Sequence, residues 1–169
     1  SNIVLGRVGL MLGDERLYRY ATALGFGSLT GVSFPGEASG VLRSPDRWSL
    51  RSAPTIAIGH EVSVTPLQLA MAYAAIANGG VMTRPLLVRE VRDPDGRVLS
   101  RDEPSASQRV FAERTTETVR AMLAAVVDSG TGKAARVPGL RVGGKTGTAQ
   151  KYDDSVKGYG EGMYLSSFV

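Results

Sequence analysis

The sequence contains no cysteine, a single histidine (His60) and no long hydrophobic run. The lack of cysteine excludes disulfides, thiolate zinc sites and cysteine nucleophiles, and one histidine leaves at most one Ser-His pair. No apolar stretch approaches the roughly 18 residues that span a bilayer, and the N-terminus lacks the basic and apolar regions of a signal peptide. With no cysteine and one histidine, we predict no metal site, and we also predict no cofactor.

The residues that are present suffice for one ordinary globular core. Of the 169 residues, 43% are hydrophobic and 21% are charged, which excludes disorder and collagen-like repetition. The formal net charge of +4 is compatible with an anionic partner. Because the arginines are scattered singly, without a basic run or interleaved aromatic residues, we expect no nucleic-acid partner.

Both ends of the sequence have the character of interrupted elements. The chain opens on Ser1-Asn2 instead of methionine, and it closes on an alternating apolar run, 164–169, without a turn signal. A strand of this type needs a following turn or a partner strand. We therefore expect residues 1–169 to be the C-terminal part of one domain, truncated at both ends.

Helical spacing of apolar residues predicts two short helices over 3–12 and 14–24, followed by a long loop region from Phe26 to about Pro54. A third helix is predicted to begin at Thr65-Pro66 and to end at Asn78-Gly79-Gly80. Thr65 is a favourable N-cap, and proline at the first helical position loses no hydrogen bond. A fourth helix is predicted over Thr115 to Asp128.

The strands are predicted mainly in the second half of the chain. Residues 86–92 and 97–100 flank the turn sequence Asp93-Pro94-Asp95-Gly96, which predicts a hairpin. Two further strands are predicted over 140–151 and 163–169, joined by a polar loop from Asp153 to Gly162. Helices followed by antiparallel strands indicate an α+β fold with helices packed on an antiparallel sheet.

The most informative segment, Gly143 to Gln150, admits two interpretations. Residues 139–146 match the phosphate-loop pattern G-x-x-x-x-G-K-[ST], so a P-loop NTPase using Gly139 to Thr146 is one hypothesis. A phosphate loop follows a buried strand and opens a helix whose amides hold the phosphates. The segment before Gly139 is no such strand, and Gly147-Thr148 is a poor helix start. The context therefore argues against a nucleotide site.

The second interpretation is an edge strand beside an active site. Lys145 would supply positive charge, the hydroxyls of Thr146 and Thr148 would donate to a carboxylate, and Gly147 would let a substrate backbone approach closely. This is the Lys-Thr-Gly element of serine acyl-enzymes. The tripeptide alone has low specificity, and a glycine-rich hairpin strand is the alternative. Other motifs in the sequence are needed to decide between the active-site strand and the hairpin strand.

Accompanying motifs occur in order along most of the chain. They are Ser1-Asn2, Leu24-Gly25-Phe26-Gly27, Thr30-Gly31, Pro35-Gly36-Glu37, Val64 to Ala70, Tyr73 to Gly80, Gly130 to Ala135 and Gly144 to Ala149. Together they resemble the transpeptidase domain of class B penicillin-binding proteins, most like the cell-division peptidoglycan transpeptidases. The resemblance implies part of a serine β-lactamase/penicillin-binding transpeptidase-like fold.

The resemblance also implies a reaction and its residues. In this family, a serine of a Ser-x-x-Lys motif attacks the penultimate D-Ala carbonyl of a peptidoglycan stem peptide, and an amine of a neighbouring stem completes the cross-link. By position, Asn2, Lys145 and Thr148 would be catalytic, the last through its backbone N–H in an oxyanion hole. Thr146, Gly147 and Thr148 would bind the substrate or a β-lactam. The implied partners are stem peptides, β-lactams and membrane proteins of cell division or elongation.

One departure from the family pattern limits what the chain does alone. No serine in the sequence has a lysine three residues later, and Ser1 occupies the middle position of the Ser-x-Asn element. We therefore expect the nucleophile upstream of Ser1 and no catalysis by these 169 residues alone. A β-lactam or cell-wall sensor of the same fold remains an alternative. The family resemblance implies the outer face of the cytoplasmic membrane.

His60 is the remaining catalytic suspect, because Ser52 and Ser63 lie near it in sequence. No nucleophile-elbow pattern accompanies these residues. We interpret His60 as a loop residue.

Overall fold

In the computed structural model, which describes residues 1–153, 155 and 157–169, the chain forms two units, Ser1–Ala112 and Glu113–Val169. Helices combine with three antiparallel strand pairs, so the predicted α+β class is confirmed. No helix among these described residues is long and apolar enough to cross a membrane. The described residues also contain no group of three or more acidic or histidine side chains placed to hold a metal ion.

The first unit contains four α-helices. They are α1 (Asn2–Leu12), α2 (Asp14–Ala23), α3 (Ser52–Ile56) and α4 (Pro66–Ala77). The predicted start of α4 is confirmed, because Thr65 Oγ1 accepts from the Gln68 N–H and Gln68 Oε1 accepts from the Thr65 N–H. This reciprocal pair is a capping box. At the other end, the Asn78 side chain pairs with both backbone groups of Val81 and stops the helix.

Helix α3 overlaps the end of the loop region that is predicted from Phe26 to about Pro54. Pro54 itself is the third residue of α3. Proline is tolerated in a first helical turn because the N–H groups there have no intrahelical acceptor. The rest of the predicted loop, 26–51, contains a short 3-10 turn, Pro45–Arg47, and an isolated antiparallel bridge between Val41 and Ser63.

Two small strand pairs complete the first unit. Strands β2 (Glu90–Arg92) and β3 (Val98–Arg101) form the predicted hairpin, with Asp93 Oδ1 accepting from the backbone N–H groups of Asp95 and Arg97. Strands β1 (Val81–Thr83) and β4 (Ala106–Arg109) pair across a longer separation. The sequence does not predict this second pair, because strands of three and four residues are too short to show an apolar alternation.

The loop region before α4 is organised around one buried glutamine. Gln68 is only 1% exposed, and its Nε2 lies 2.7 Å from the carbonyl oxygens of Ser28 and Ser39 and 3.2 Å from that of Gly25. One side chain thus joins the helix start to three separate loop positions. Nearby, the Thr30 hydroxyl and backbone N–H donate to Glu37, which lowers the pKa of that carboxyl group.

The second unit contains one long helix and one hairpin. It consists of α5 (Glu113–Asp128), a 3-10 turn (Lys133–Ala135), β5 (Thr146–Asp153) and β6 (Gly158–Phe168). Thr146 pairs with Phe168 and Gln150 with Tyr164, in antiparallel register. Ala124 and Val127 of α5 are buried. The predicted helix over 115–128 is confirmed, with a start two residues earlier.

The boundaries predicted for the last two strands were wrong. Residues 140–145 are not strand, because the Gly144 N–H bonds to the Leu123 carbonyl of α5 instead of a neighbouring strand. The predicted loop from Asp153 to Gly162 is also shorter, since β6 begins at Gly158. Asp154 and Val156 of that loop lie outside the described residues. Cross-strand pairing thus overrides the polar composition that favoured a loop.

Candidate active site

Lys145 immediately precedes an antiparallel strand. Its backbone N–H donates to the Val169 carbonyl at 2.8 Å, and the Val169 N–H donates back at 3.3 Å. Thr146 then opens β5, not a helix. A phosphate loop needs a helix N-terminus at this point. The alternative of a P-loop NTPase using Gly139 to Thr146 is therefore wrong.

The register of the hairpin determines which way the backbone of β5 faces. Because Lys145 and Val169 exchange both hydrogen bonds, every second residue of β5 bonds to β6, and the residues between face outward. Thr146 and Thr148 are such intervening residues. Their N–H and C=O groups point away from β6, and no strand in the described part of the chain pairs with that side of β5. An extended peptide has access to an unpaired ladder here.

A cation and two hydroxyls gather at this open side. Lys145 Nζ lies 2.7 Å from the outward-facing carbonyl oxygen of Thr146 and 3.3 Å from its Oγ1. Thr146 Oγ1 in turn lies 2.9 Å from the hydroxyl of Thr131. Lys145 and Thr148 are exposed, whereas Thr146 and Gly147 are partly buried. The arrangement presents the Lys145 ammonium group, the threonine hydroxyls and the outward-facing N–H of Thr148 to a ligand that carries negative charge.

Thr131 is the member of this group that sequence reasoning missed. The segment Gly130-Thr131-Gly132 follows the end of α5 at Asp128 and begins the Gly130 to Ala135 motif of the family resemblance. The tight packing of that segment brings the threonine to β5: a Cβ at Gly132 would lie 3.2 Å from the Phe168 ring and from Val126 Cγ1. Only the tertiary fold joins two residues 15 positions apart.

Two further glycines hold the start of β5 close to α5 and β6. A Cβ at Gly143 would lie 3.1 Å from the Ala124 backbone nitrogen, and one at Gly144 would lie 2.6 Å from the Val169 carbonyl oxygen. Gly144 is buried. Side chains at these two positions would push the backbone of Lys145 outward. The two glycines therefore determine the position of the Lys145 backbone. Gly147 is equally crowded, with Ser167 Oγ 2.5 Å from the position of its missing Cβ.

Asn2 belongs to the first unit. It is the first residue of α1, and its side chain is exposed. The other four predicted site residues, Lys145, Thr146, Gly147 and Thr148, are consecutive in the second unit.

Ser52, one of the two serines close to His60 in sequence, is buried and hydrogen-bonded. Ser52 is 1% exposed, and its hydroxyl donates to Glu61 Oε2 at 2.9 Å. Glu61 also forms an ion pair with Arg43 at 2.5 Å. A buried hydroxyl that donates to a carboxylate is not an accessible nucleophile, so Ser52 gives no support to a catalytic Ser-His pair with His60.

A lysine directly before an edge strand that begins Thr-Gly-Thr, with outward N–H groups beside it, is typical of a serine acyl-enzyme of the penicillin-recognising class. Comparison with known proteins supports this class: the penicillin binding protein transpeptidase domain family matches residues 1–169. The chain is a member of that family.

Individual relatives agree. Stage V sporulation protein D of Bacillus subtilis is 40% identical over 163 residues, which is 96% of this chain and 25% of that protein. The probable peptidoglycan D,D-transpeptidase FtsI of Caulobacter vibrioides is 36% identical over 175 residues, which is 100% of this chain and 27% of that protein. The chain therefore spans about a quarter of the length of these curated relatives.

Solved structures show the same fold. Penicillin-binding protein 3 of Mycobacterium tuberculosis, in complex with aztreonam, matches with a TM-score of 0.91 and 36% identity over 99% of this chain and 39% of that one. The transpeptidase domain of Burkholderia pseudomallei penicillin-binding protein 3, without ligand, matches with a TM-score of 0.85, covering 99% of this chain and 48% of that one. The predicted penicillin-binding transpeptidase-like fold is confirmed.

Proposed function

We propose that the protein carrying this chain is a serine-type peptidoglycan D,D-transpeptidase that also binds β-lactams. A serine would attack the penultimate D-Ala carbonyl of a stem peptide, releasing the terminal D-Ala and leaving an acyl-enzyme, which the amine of a second stem resolves. The observation that carries the proposal is the open side of β5, where Lys145 and the outward N–H of Thr148 are available to an acyl donor. The family match over the whole chain supports the same conclusion.

The geometry supports a role for each residue of the strand. The hydroxyls of Thr146 and Thr148, with the Lys145 ammonium, would bind the terminal carboxylate of the stem peptide or β-lactam by charge-assisted hydrogen bonds. The Thr148 N–H would donate to the oxyanion of the tetrahedral intermediate, a contribution worth about 10² to 10³ in rate. Gly147 leaves the strand surface without a side chain. The side-chain amide of Asn2 would hold the substrate amide and the lysine of the Ser-x-x-Lys motif.

The nucleophile is proposed to come from outside these 169 residues, because none of their serines precedes a lysine by three positions. The isolated chain is then expected to be unreactive towards penicillin. We further propose that the full-length protein works on the outer face of the cytoplasmic membrane, with membrane proteins of cell division or elongation as partners. The names of the two curated relatives, one a sporulation protein and one a D,D-transpeptidase, agree with a role in wall synthesis.

Labelling with a fluorescent penicillin tests the proposal. The full-length protein is expected to give a covalent, heat-stable band that excess unlabelled penicillin abolishes, and the 169-residue chain is expected to give none. Incubation with a pentapeptide donor and an amine acceptor should then release D-Ala and form the cross-linked product. An unlabelled full-length protein would contradict the proposal. Labelling without any cross-linked product would favour the sensor.

A threonine-to-valine substitution tests the contribution of Thr131. Thr131→Val keeps the side-chain volume but removes the hydroxyl that lies 2.9 Å from Thr146 Oγ1. We expect penicillin acylation of the full-length protein to become about 2- to 10-fold slower, the effect of one net hydrogen bond. Thr118→Val is the matched control, because Thr118 is exposed on α5 and its hydroxyl donates to the Arg114 carbonyl of its own helix. Equal acylation rates of the two variants would argue against a role for Thr131.

A further inference from the structure

Helix α1, which begins at Asn2, rests on α3 through a glycine. Gly9 is the buried residue of α1, and a Cβ placed on it would lie 2.6 Å from Ala57 Cβ and 2.8 Å from the Ala53 carbonyl oxygen. Carbon atoms in favourable contact are about 3.5 to 4.0 Å apart. The two segments are therefore closer at this point than any residue with a side chain would allow.

Gly6, one turn earlier on α1, is in a different situation. A Cβ there would lie 3.5 Å from Pro54 Cβ and 3.7 Å from the Pro54 carbonyl oxygen, which are ordinary contact distances. Both glycines pack on the same short helix, but only the position of Gly9 lacks room for a Cβ atom. The pair provides a natural comparison within one helix.

The support beneath α1 is itself fixed. Ser52, the first residue of α3, accepts from the Ser49 N–H at 3.0 Å and donates to Glu61, which is paired with Arg43. Glu61 has a φ of +57°, a conformation that non-glycine residues seldom adopt. A residue held in that conformation by two side-chain partners indicates that the surrounding structure determines its position. We therefore expect α3 to resist displacement when a larger residue on α1 presses against it.

We propose that Gly9 is a positioning residue for Asn2, and that the segment α3 with its Ser52–Glu61–Arg43 contacts is the support that sets the position of the Asn2 amide. The inference rests on the proposed function, in which Asn2 acts on the substrate. Helix α1 runs without interruption from Asn2 to Leu12, so a displacement at Gly9 moves its first turn as well. The two positions are seven residues apart, which corresponds to about 10 Å of helix.

The consequence for the reaction follows from the geometry of hydrogen bonds. Relieving a 2.6 Å carbon contact requires α1 to move by about 1 Å, and hydrogen bonds weaken steeply when the donor is misplaced by that distance. A misplacement of 1 Å in a positioned group can slow a reaction by about 10²-fold. The loss should fall on the chemical step, because the groups proposed to bind the substrate carboxylate are on β5 and not on α1.

Four variants of the full-length protein test this inference. They are Gly9→Ala, Gly6→Ala, Ala57→Gly and the double variant Gly9→Ala/Ala57→Gly. Stopped-flow measurements with penicillin would separate the dissociation constant of the initial complex from the acylation rate constant. Circular dichroism and melting temperatures would establish that each variant is folded.

The expected result is an acylation rate constant about 10²-fold lower for Gly9→Ala, with the dissociation constant within about twofold of the parent. Gly6→Ala and Ala57→Gly should stay within about threefold of the parent. The double variant should regain about tenfold in rate, because it removes the Ala57 methyl but leaves the Ala53 carbonyl in place. A purely structural defect would lower the melting temperature without this pattern.

Three outcomes would overturn the inference: a folded Gly9→Ala protein that acylates within threefold of the parent, an equal loss in Gly6→Ala, or a double variant with no recovery. Failure of the parent itself to acylate would instead overturn the proposed function, and with it the role of Asn2 on which the inference rests. The two failures are therefore distinguishable in one data set.

Discussion

Replacing Lys145 by methionine is expected to slow penicillin acylation of the full-length protein by about 10²-fold. Methionine retains the length of the side chain but removes the ammonium group, which lies at the open side of β5 beside the Thr146 carbonyl. Hydrogen bonds from a charged donor contribute about 1.5 to 3 kcal/mol, and each 1.36 kcal/mol corresponds to a factor of ten in rate. The measurement is the second-order acylation rate constant with fluorescent penicillin.

Lys151→Met is the matched control for this experiment. Lys151 is exposed on the same strand, so the two variants lose the same charge from the same protein. We expect the control to acylate within about twofold of the parent, since screened surface charges contribute little. If both variants lost activity to the same extent, net charge and not the position of Lys145 would be responsible, and the proposed site would be wrong.

The largest expected effect on stability is that of Gln68→Leu. Leucine fills a similar volume, but it leaves the Ser28 and Ser39 carbonyls and the Thr65 N–H without their buried partner. An unsatisfied buried polar group costs about 1 to 3 kcal/mol, so we expect a loss of about 4 kcal/mol in the free energy of unfolding of the first unit. Hydrogen exchange of peptides covering 25–41 and 65–78 would locate the loss.

Gln108→Leu is the comparison for that variant. Gln108 is exposed and donates a single hydrogen bond, to the Ala23 carbonyl. Its replacement should change stability by less than about 1 kcal/mol, as is usual for a surface position. Comparable protection of residues 25–41 in both variants would show that Gln68 does not organise the loop region.

Much of the fold could be predicted because its determinants are local. The Thr65 cap, the Asn78 stop and the Asp93 turn each satisfy backbone groups within a few residues of themselves, so the sequence alone reveals them. The Lys-Thr-Gly run could likewise be assigned to an edge strand, because no buried strand precedes Gly139 and a Gly-Thr sequence has low propensity for the interior of a helix.

The remaining features depend on contacts that no local pattern records. Thr131 reaches Thr146 only because Gly130 and Gly132 pack against Val126. Residues 140–145 have the composition of a strand, but a helix carbonyl at Leu123 takes the hydrogen bond of Gly144. The contacts of Glu61 with Ser52 and Arg43 join three segments of the first unit. Tertiary competition for backbone and side-chain partners decides each of these cases.

The open side of β5 also affects how the protein behaves in concentrated solution. A ladder that is left unpaired for a peptide is equally available to a strand of another copy, and natural sheets usually protect such edges. The adjoining strand β6 adds exposed hydrophobic side chains at Met163, Tyr164 and Leu165. Under the proposed function, an acyl donor bound along β5 would cover this edge, so we expect the unliganded protein to aggregate more readily than the protein with a bound donor.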